Sequence, residues 1–186
     1  SCEGYKGVSQ SAGHHIANNG LMSKIIGIGD KKPTKKYSVN LLGEYNIGGD
    51  GWEQERILKR IGYEVVTIFT GDGSYETMKN AHFADLNLVM CHRSINYVAE
   101  MMKTKYGTDW IKVNFIGVGA TCKSLRDMAK YFGDEELIKR TEEVIEDELA
   151  SIYDDMEYYK TKLKGKTAGI FVGGSRAHHY QLLLSD

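Results

Sequence analysis

The sequence predicts an α/β fold, a Rossmann-like parallel sheet built from βα repeats and preceded by a loop and a helix. Three observations point there. Short apolar runs at residues 37–44, 63–69, 86–90, 110–116 and 167–172 have the length and composition of buried strands. Segments of helical period separate them, and such alternation lays strands in parallel with right-handed crossovers. Glycine-rich turns follow several runs, at the carboxyl ends where open α/β sheets gather ligands.

The opening residues are rich in glycine and serine and read as a loop. Residues 14–26 carry Ile16, Leu21, Met22, Ile25 and Ile26 at helical spacing, and Gly27 ends that pattern. The polar stretch 29–36 holds the only proline and reads as a surface loop. After the first strand, Asp50 and Glu53 have capping-box spacing, Trp52, Ile57, Leu58 and Ile61 supply apolar contacts, and Gly62 can close the helix. Ser94 is placed to cap a helix carrying Ile95, Val98 and Met102 on one face. The longest helix spans residues 134–163, with Val144 or Ile145, Leu149, Ile152, Met156, Tyr159 and Leu163 along one stripe. No linker divides the chain, so it reads as one region, residues 1–36 leading into an α/β unit at 37–186. With no initiator methionine at Ser1 and no stop signal before Asp186, it reads as a central fragment of a longer protein.

An apolar fraction of 41% supports a core, and a formal net charge of -1 supplies no basic field for nucleic acid. No apolar run is long enough to span a bilayer. Cys2, Cys91 and Cys122 are widely spaced with no Cys-x-x-Cys pair, which fits a reducing, cytoplasmic setting and not a disulfide scaffold.

Gly117-Val-Gly-Ala-Thr-Cys-Lys-Ser124 approaches a P-loop, but Cys122 stands where the second glycine must let the backbone approach phosphates. The pairs His14-His15 and His178-His179 cannot chelate one metal from a helix, because adjacent side chains diverge by about 100 degrees. His14, beside Gln10 and Ser11, can move protons near neutral pH, or it is an ordinary surface or core histidine. Arg176, after two glycines, suits an anion or a surface salt bridge. Cys91 lies at a strand-to-helix turn, where a ligand belongs; spacing alone favours a small buried hydrophobe there.

Four segments, in order, carry a further signal. Cys2-Glu-Gly-Tyr-Lys-Gly-Val-Ser-Gln-Ser-Ala-Gly-His-His-Ile-Ala-Asn-Asn19, Gly43-Glu-Tyr-Asn-Ile-Gly-Gly-Asp50, Asn87-Leu-Val-Met-Cys-His-Arg-Ser-Ile-Asn-Tyr97 and Gly173-Gly-Ser-Arg176 closely resemble the α subunit of the nitrogenase dinitrogenase component. The resemblance implies ATP-driven reduction of dinitrogen to ammonia in the cytoplasm, with electrons from a separate iron protein. It implies that Cys91 is the thiolate on the terminal iron of the catalytic cofactor, a soft anionic donor suited to iron–sulfur chemistry. His14 resembles the histidine that hydrogen-bonds a cofactor sulfide and delivers protons, and Gln10 the glutamine near its homocitrate. Arg93 flanks the ligand, Ile47 resembles an apolar cofactor contact, and Gly173, Gly174 and Arg176 match a loop that steadies the cluster. Cys2 matches a cysteine that is not a ligand, and Cys122 matches no family role.

His-His-Ile-Ala-Asn-Asn, Lys36-Tyr-Ser-Val-Asn40, Cys91-His92 and Gly-Gly-Ser-Arg look most like the vanadium-iron form, with iron-molybdenum and iron-only cofactors as alternatives. The implied partners are a β subunit, the iron protein and a small δ subunit. The ligands of the eight-iron P-cluster and the distal histidine for the heterometal are expected outside these residues. A non-catalytic scaffold for cofactor assembly is the competing reading, which the joint presence of His14, Gln10 and Cys91 disfavours. A metal-free α/β binding domain leaves the four motifs unexplained.

Overall fold

Every residue of the first strand, β1 (Ser38–Glu44), is buried, and so is every residue of β3 (Leu86–Val89), as expected of central strands covered on both faces. The computed structural model describes residues 10–90, 95–172 and 176–185, the side chains of residues 10, 11 and 176 excepted. It divides into two compact units, Ser1–Val113 and Asn114–Asp186. In the first, β2 (Glu64–Thr70) and β4 (Asp109–Lys112) complete a four-stranded sheet of order β2-β1-β3-β4, with each neighbouring pair parallel. The α/β parallel-sheet expectation is met.

At the sheet's centre Asn40 and Asn87 stand opposite each other in register. The Asn40 Nδ2 group donates to Asn87 Oδ1 and to the Ala81 carbonyl, each at 2.8 Å. A one-residue slip would break that bond and leave both amides buried without each other, so the pair specifies the register.

Helix α1 is Gln10–Lys24, beginning earlier than periodicity indicated, so Gln10, Ser11 and His14 lie on a helix and not in a loop. Its Met22 and the following Ile26 enter the core with Leu42, Phe69, Val89, Val98 and Met102. The crossover helix α2 (Asp50–Ile61) ends at Gly62 (φ 118°) as anticipated, but the capping box does not form. Gly49 occupies the cap position, and Glu53 pairs with Arg56 at 2.7 Å. The backbone N–H groups of Gly51 and Trp52 instead donate to Asn46 Oδ1. Trp52 is exposed and donates its indole N–H to Asp72, so it does not join Leu58 and Ile61 inside. A short helix, α3 (Tyr75–Met78), is capped by Ser74. Helix α4 (Asn96–Tyr106) starts after Ile95; Ser94 lies outside the described residues, and Ile95, Val98 and Met102 are buried as expected. The strand expected at 110–116 is shorter, because Asn114 turns the chain, its Oδ1 accepting the Ile116 N–H at 3.0 Å.

The second unit contains α5 (Val118–Phe132), α6 (Glu135–Leu163) and α7 (Arg176–Leu183). Asp134 caps α6 through the Leu137 N–H, and Arg126 of α5 forms a two-pronged ion pair with Glu142. Ser124 exchanges hydrogen bonds with the Asn114 backbone and Lys123 pairs with Asp127, so neither residue of the near P-loop is held for a phosphate. The apolar stripe of α6 splits: Val144 and Ile145 are buried, while Leu149, Ile152, Tyr159 and Leu163 are exposed. Residues 167–172 form no strand, because an extended segment needs a neighbour for its backbone bonds and none of the described residues supplies one. No described helix is long and apolar enough to cross a membrane.

The loop at residues 29–36 is folded back by Glu64, whose Oε2 accepts from the Thr34 N–H at 2.7 Å, the Lys35 N–H at 2.8 Å and the Thr34 hydroxyl at 2.9 Å. Burial alone would raise the Glu64 pKa, but these donors and the Lys35 charge outweigh it and lower the carboxyl. A depressed folded pKa contributes stability above the unfolded value, about 4.3 for glutamate, and loses it as pH falls through the folded value. Thermal unfolding should therefore separate wild type from Glu64→Gln at pH 7, and the gap should close on acidification below pH ~4. Ile145→Ala should cost about 2–5 kcal/mol in denaturant unfolding, whereas Ile152→Ala should change stability far less, because Ile152 is already in water.

Candidate functional site

With β2 on one side of β1 and β3 on the other, the order β2-β1-β3-β4 has its switch point between β1 and β3. Loops leaving the carboxyl ends of two such strands diverge to opposite faces and open a crevice. Met90 is bonded to the ladder through its N–H to the Leu42 carbonyl at 2.9 Å. Cys91 is the next residue in the chain.

The exit of β1 is tightly constructed. Glu44 is 2% exposed, and its carboxylate accepts from the Asn46 N–H at 2.7 Å and from Gln54 Nε2 at 2.8 Å. Two donors offset part of the cost of burying a charge. Asn46 takes a left-handed conformation (φ 52°), and Gly48 and Gly49 follow with φ of 74° and 94°, which side chains with a Cβ resist. Gly71 packs directly on this turn, where a Cβ would collide with the Tyr45 carbonyl carbon and the Asn46 nitrogen. The turn thereby fixes the backbone on both sides of Tyr45.

Helix α1 brings the histidines alongside. Two tyrosines of α4 hold this segment: Tyr97 donates to the His14 carbonyl of the helix at 3.1 Å, and Tyr106 to the Ile26 carbonyl just after it at 2.7 Å. His14 is half-buried and meets the Tyr45 ring edge-on, with centroids 6.2 Å apart at 87°. His15 stacks on the Tyr97 ring at 3.9 Å. The adjacent histidines thus diverge as helix geometry requires, one toward β1 and one onto α4. Burial pushes the Tyr97 phenol up, a hydrogen bond with Asn18 opposes the shift, and the nearby Tyr45 adds to it.

Of the residues singled out in the sequence, His14 and the Tyr45–Gly49 turn lie in the first unit at the carboxyl side of the sheet, Ile47 being 60% exposed there. Gln10 opens α1, one helical turn before His14. Cys91, Arg93, Gly173 and Gly174 lie outside the described residues, and Arg176 opens α7 in the second unit. Sequence reasoning passed over Glu44, Tyr45, Gln54 and Tyr97. A glutamate ending an otherwise apolar strand was the available signal for the first. Among the described residues no three histidine, cysteine or acidic side chains converge to hold a metal ion.

Comparison with known proteins agrees along the whole chain. The family model for nitrogenase component 1 type oxidoreductases matches residues 1–186. The nitrogenase molybdenum-iron protein alpha chain of Clostridium pasteurianum is 66% identical over 186 residues, all of this chain and 35% of the relative. That of Methanosarcina barkeri is 55% identical over 185 residues, again 35% of the relative. The nitrogenase iron-molybdenum cofactor biosynthesis protein NifE of Methanococcus maripaludis is 41% identical across 94% of this chain and 36% of the relative. A solved structure titled nitrogenase Cp1 at pH 5 superposes with a TM-score of 0.95 at 65% identity, covering all of this chain and 37% of that one. This chain therefore spans about a third of the length of the curated relatives it matches.

Gly71→Ala should destabilise the β1 exit by about 1–3 kcal/mol, because the atoms met by the new methyl are mainly backbone and cannot rotate aside. Urea unfolding reads that loss, and a midpoint equal to wild type would contradict the packing described.

Proposed function

We propose, on the premise that this chain belongs to the nitrogenase component 1 type oxidoreductases as an α-chain member, that it is the cofactor-holding part of a dinitrogen-reducing enzyme. The supporting observation is the placement of His14 and the Tyr45–Gly49 turn beside the strand that leads into Cys91, at the sheet's switch point. Cys91 would hold the iron–sulfur cofactor by its thiolate, which is deprotonated and soft enough for iron. When bound, that cofactor supplies the low-potential electrons for reducing dinitrogen. Gln10 and Arg93 would flank it, Ile47 would give an apolar contact, and Gly173, Gly174 and Arg176 would steady it.

His14 would be the proton donor. Imidazole is the side chain best suited to giving up a proton and regaining one in the physiological range. Its main chain is tied to α4 by Tyr97, which keeps the donor in place. Hydrogen bonds from such neighbours also set the charge and potential of a bound cluster.

For the heterometal we infer molybdenum, with homocitrate. The similarities that support this are to proteins named molybdenum-iron alpha chains at 66% and 55% identity. The vanadium preference rested on short motif windows and finds no support in these relatives, nor does a δ subunit. The proposed assembly contains a β subunit, an eight-iron P-cluster whose ligands lie outside this chain, and the iron protein that couples ATP to electron delivery. A scaffold for cofactor assembly is the second reading, favoured by the 41% identity to NifE.

In the full-length complex purified without oxygen, metal analysis should find iron with molybdenum. Cys91→Ala should lower the cofactor's metals, and His14→Gln should keep them while ammonia formation falls by about 10²–10⁴-fold, the usual contribution of a positioned acid. Wild-type metal content in the first variant would remove Cys91 from the ligand set. Metal bound with no ammonia formed by the wild-type complex would favour the scaffold.

A further inference from the structure

We propose that Tyr45 is a positioning residue for His14, its ring serving as the wall that selects the imidazole's orientation; this rests on the proton-donor reading above. An imidazole on a helix has two free torsions, and a backbone hydrogen bond restrains neither. The Tyr97 hydroxyl grips the His14 carbonyl at 3.1 Å but leaves the ring to be placed by its surroundings. The aromatic contact to His14 comes from Tyr45, edge-on at 87° with centroids 6.2 Å apart. Aromatic rings favour such edge-to-face contact at this range.

A wall must itself be fixed. The peptides on both sides of Tyr45 are held: the Asn46 N–H donates to buried Glu44 at 2.7 Å, whose carboxylate also accepts from Gln54 at 2.8 Å, and Gly71 donates its N–H to the Glu44 carbonyl at 2.8 Å. Gly71 also occupies the space into which the Tyr45 main chain would have to retreat. Buried polar groups are costly in a strand end, and here they converge on one residue whose ring faces His14. His15 is withdrawn from that face by stacking on Tyr97, which makes it an internal control.

The test uses the full-length protein carrying Tyr45→Phe, Tyr45→Leu, His14→Gln and the His14→Gln/Tyr45→Leu double substitution. Carbethoxylation of His14 and His15 by diethyl pyrocarbonate, resolved by fragment mass spectrometry, reads ring placement without turnover. Tyr45→Leu should change His14 reactivity roughly two- to tenfold, the range for losing an aromatic edge contact. His15 should react as in wild type, and Tyr45→Phe should restore both. Ammonia formed per electron should fall in Tyr45→Leu, recover in Tyr45→Phe, and fall no further in the double variant than in His14→Gln. Unchanged His14 reactivity in Tyr45→Leu, or additive losses in the double variant, would overturn the proposal. Wild-type ammonia formation by His14→Gln would instead overturn the proton-donor reading. Should Tyr45→Leu fail to load metal, Tyr45→Met carries the same modification test.

Discussion

Asn40 and Asn87 face each other across the β1–β3 ladder, both fully buried, and the bond between their side chains forms in one register only. Asn40 Oδ1 and Asn87 Nδ2 have no partner among the described residues, so the pair is a poor way to gain stability. Its effect is specificity, because an amide pair at the sheet's centre penalises every slipped alignment. That register sets Met90 against Leu42 and so decides where the chain leaves the sheet toward Cys91. It equally decides where β1 ends, and hence where Tyr45 stands.

The β1 exit repeats the same exchange of stability for position. A carboxylate at 2% exposure is expensive, and beside it Gln54 Oε1 is buried without a partner among the described residues. An apolar pair would pack there at lower cost. What Glu44 and Gln54 achieve is a turn whose backbone has no alternative path, with left-handed Asn46 and two left-handed glycines in sequence. Local rules broken at one place, with the surrounding core intact, are what a site held for chemistry looks like.

Much of this could be read from the residues. The runs containing Leu41, Ile68 and Leu88 became strands because their burial satisfies both pattern and pairing, and Gly62 ended its helix because local geometry required it. The failures came where a tertiary partner decided the outcome. Asp50 and Glu53 had capping spacing, yet Asn46 reached the amides first. Ile170 and Val172 favour strand but have no neighbouring strand among the described residues, and the apolar stripe of α6 lies in the core only as far as Ile145. His14 was legible as a candidate because its motif is distinctive; the rings that surround it were not, since Tyr45 and Tyr97 lie 31 and 83 residues away in the sequence. The resemblance to the vanadium-iron form rests on windows of a few residues, whereas the likeness to a molybdenum-iron alpha chain runs over 186 positions.

Ligation and proton delivery place opposite demands on a scaffold, and the two proposed residues sit on elements that match them. A metal ligand must hold its position to a fraction of an ångström through every redox state, which favours a residue leaving a buried central strand; in the sequence Cys91 follows Met90, whose N–H is bonded to Leu42. A proton donor must be refilled after each transfer, so its ring belongs where solvent can reach it while its main chain stays fixed. His14 meets that condition through a half-buried imidazole on α1, a carbonyl held by Tyr97 and an aromatic edge from Tyr45. The rigid strand and the pinned helix meet at the same end of the sheet because β1 and β3 flank its switch point. A fold that lacked that reversal of strand order would send the loops after β1 and β3 to one face and leave no crevice for a cofactor to occupy.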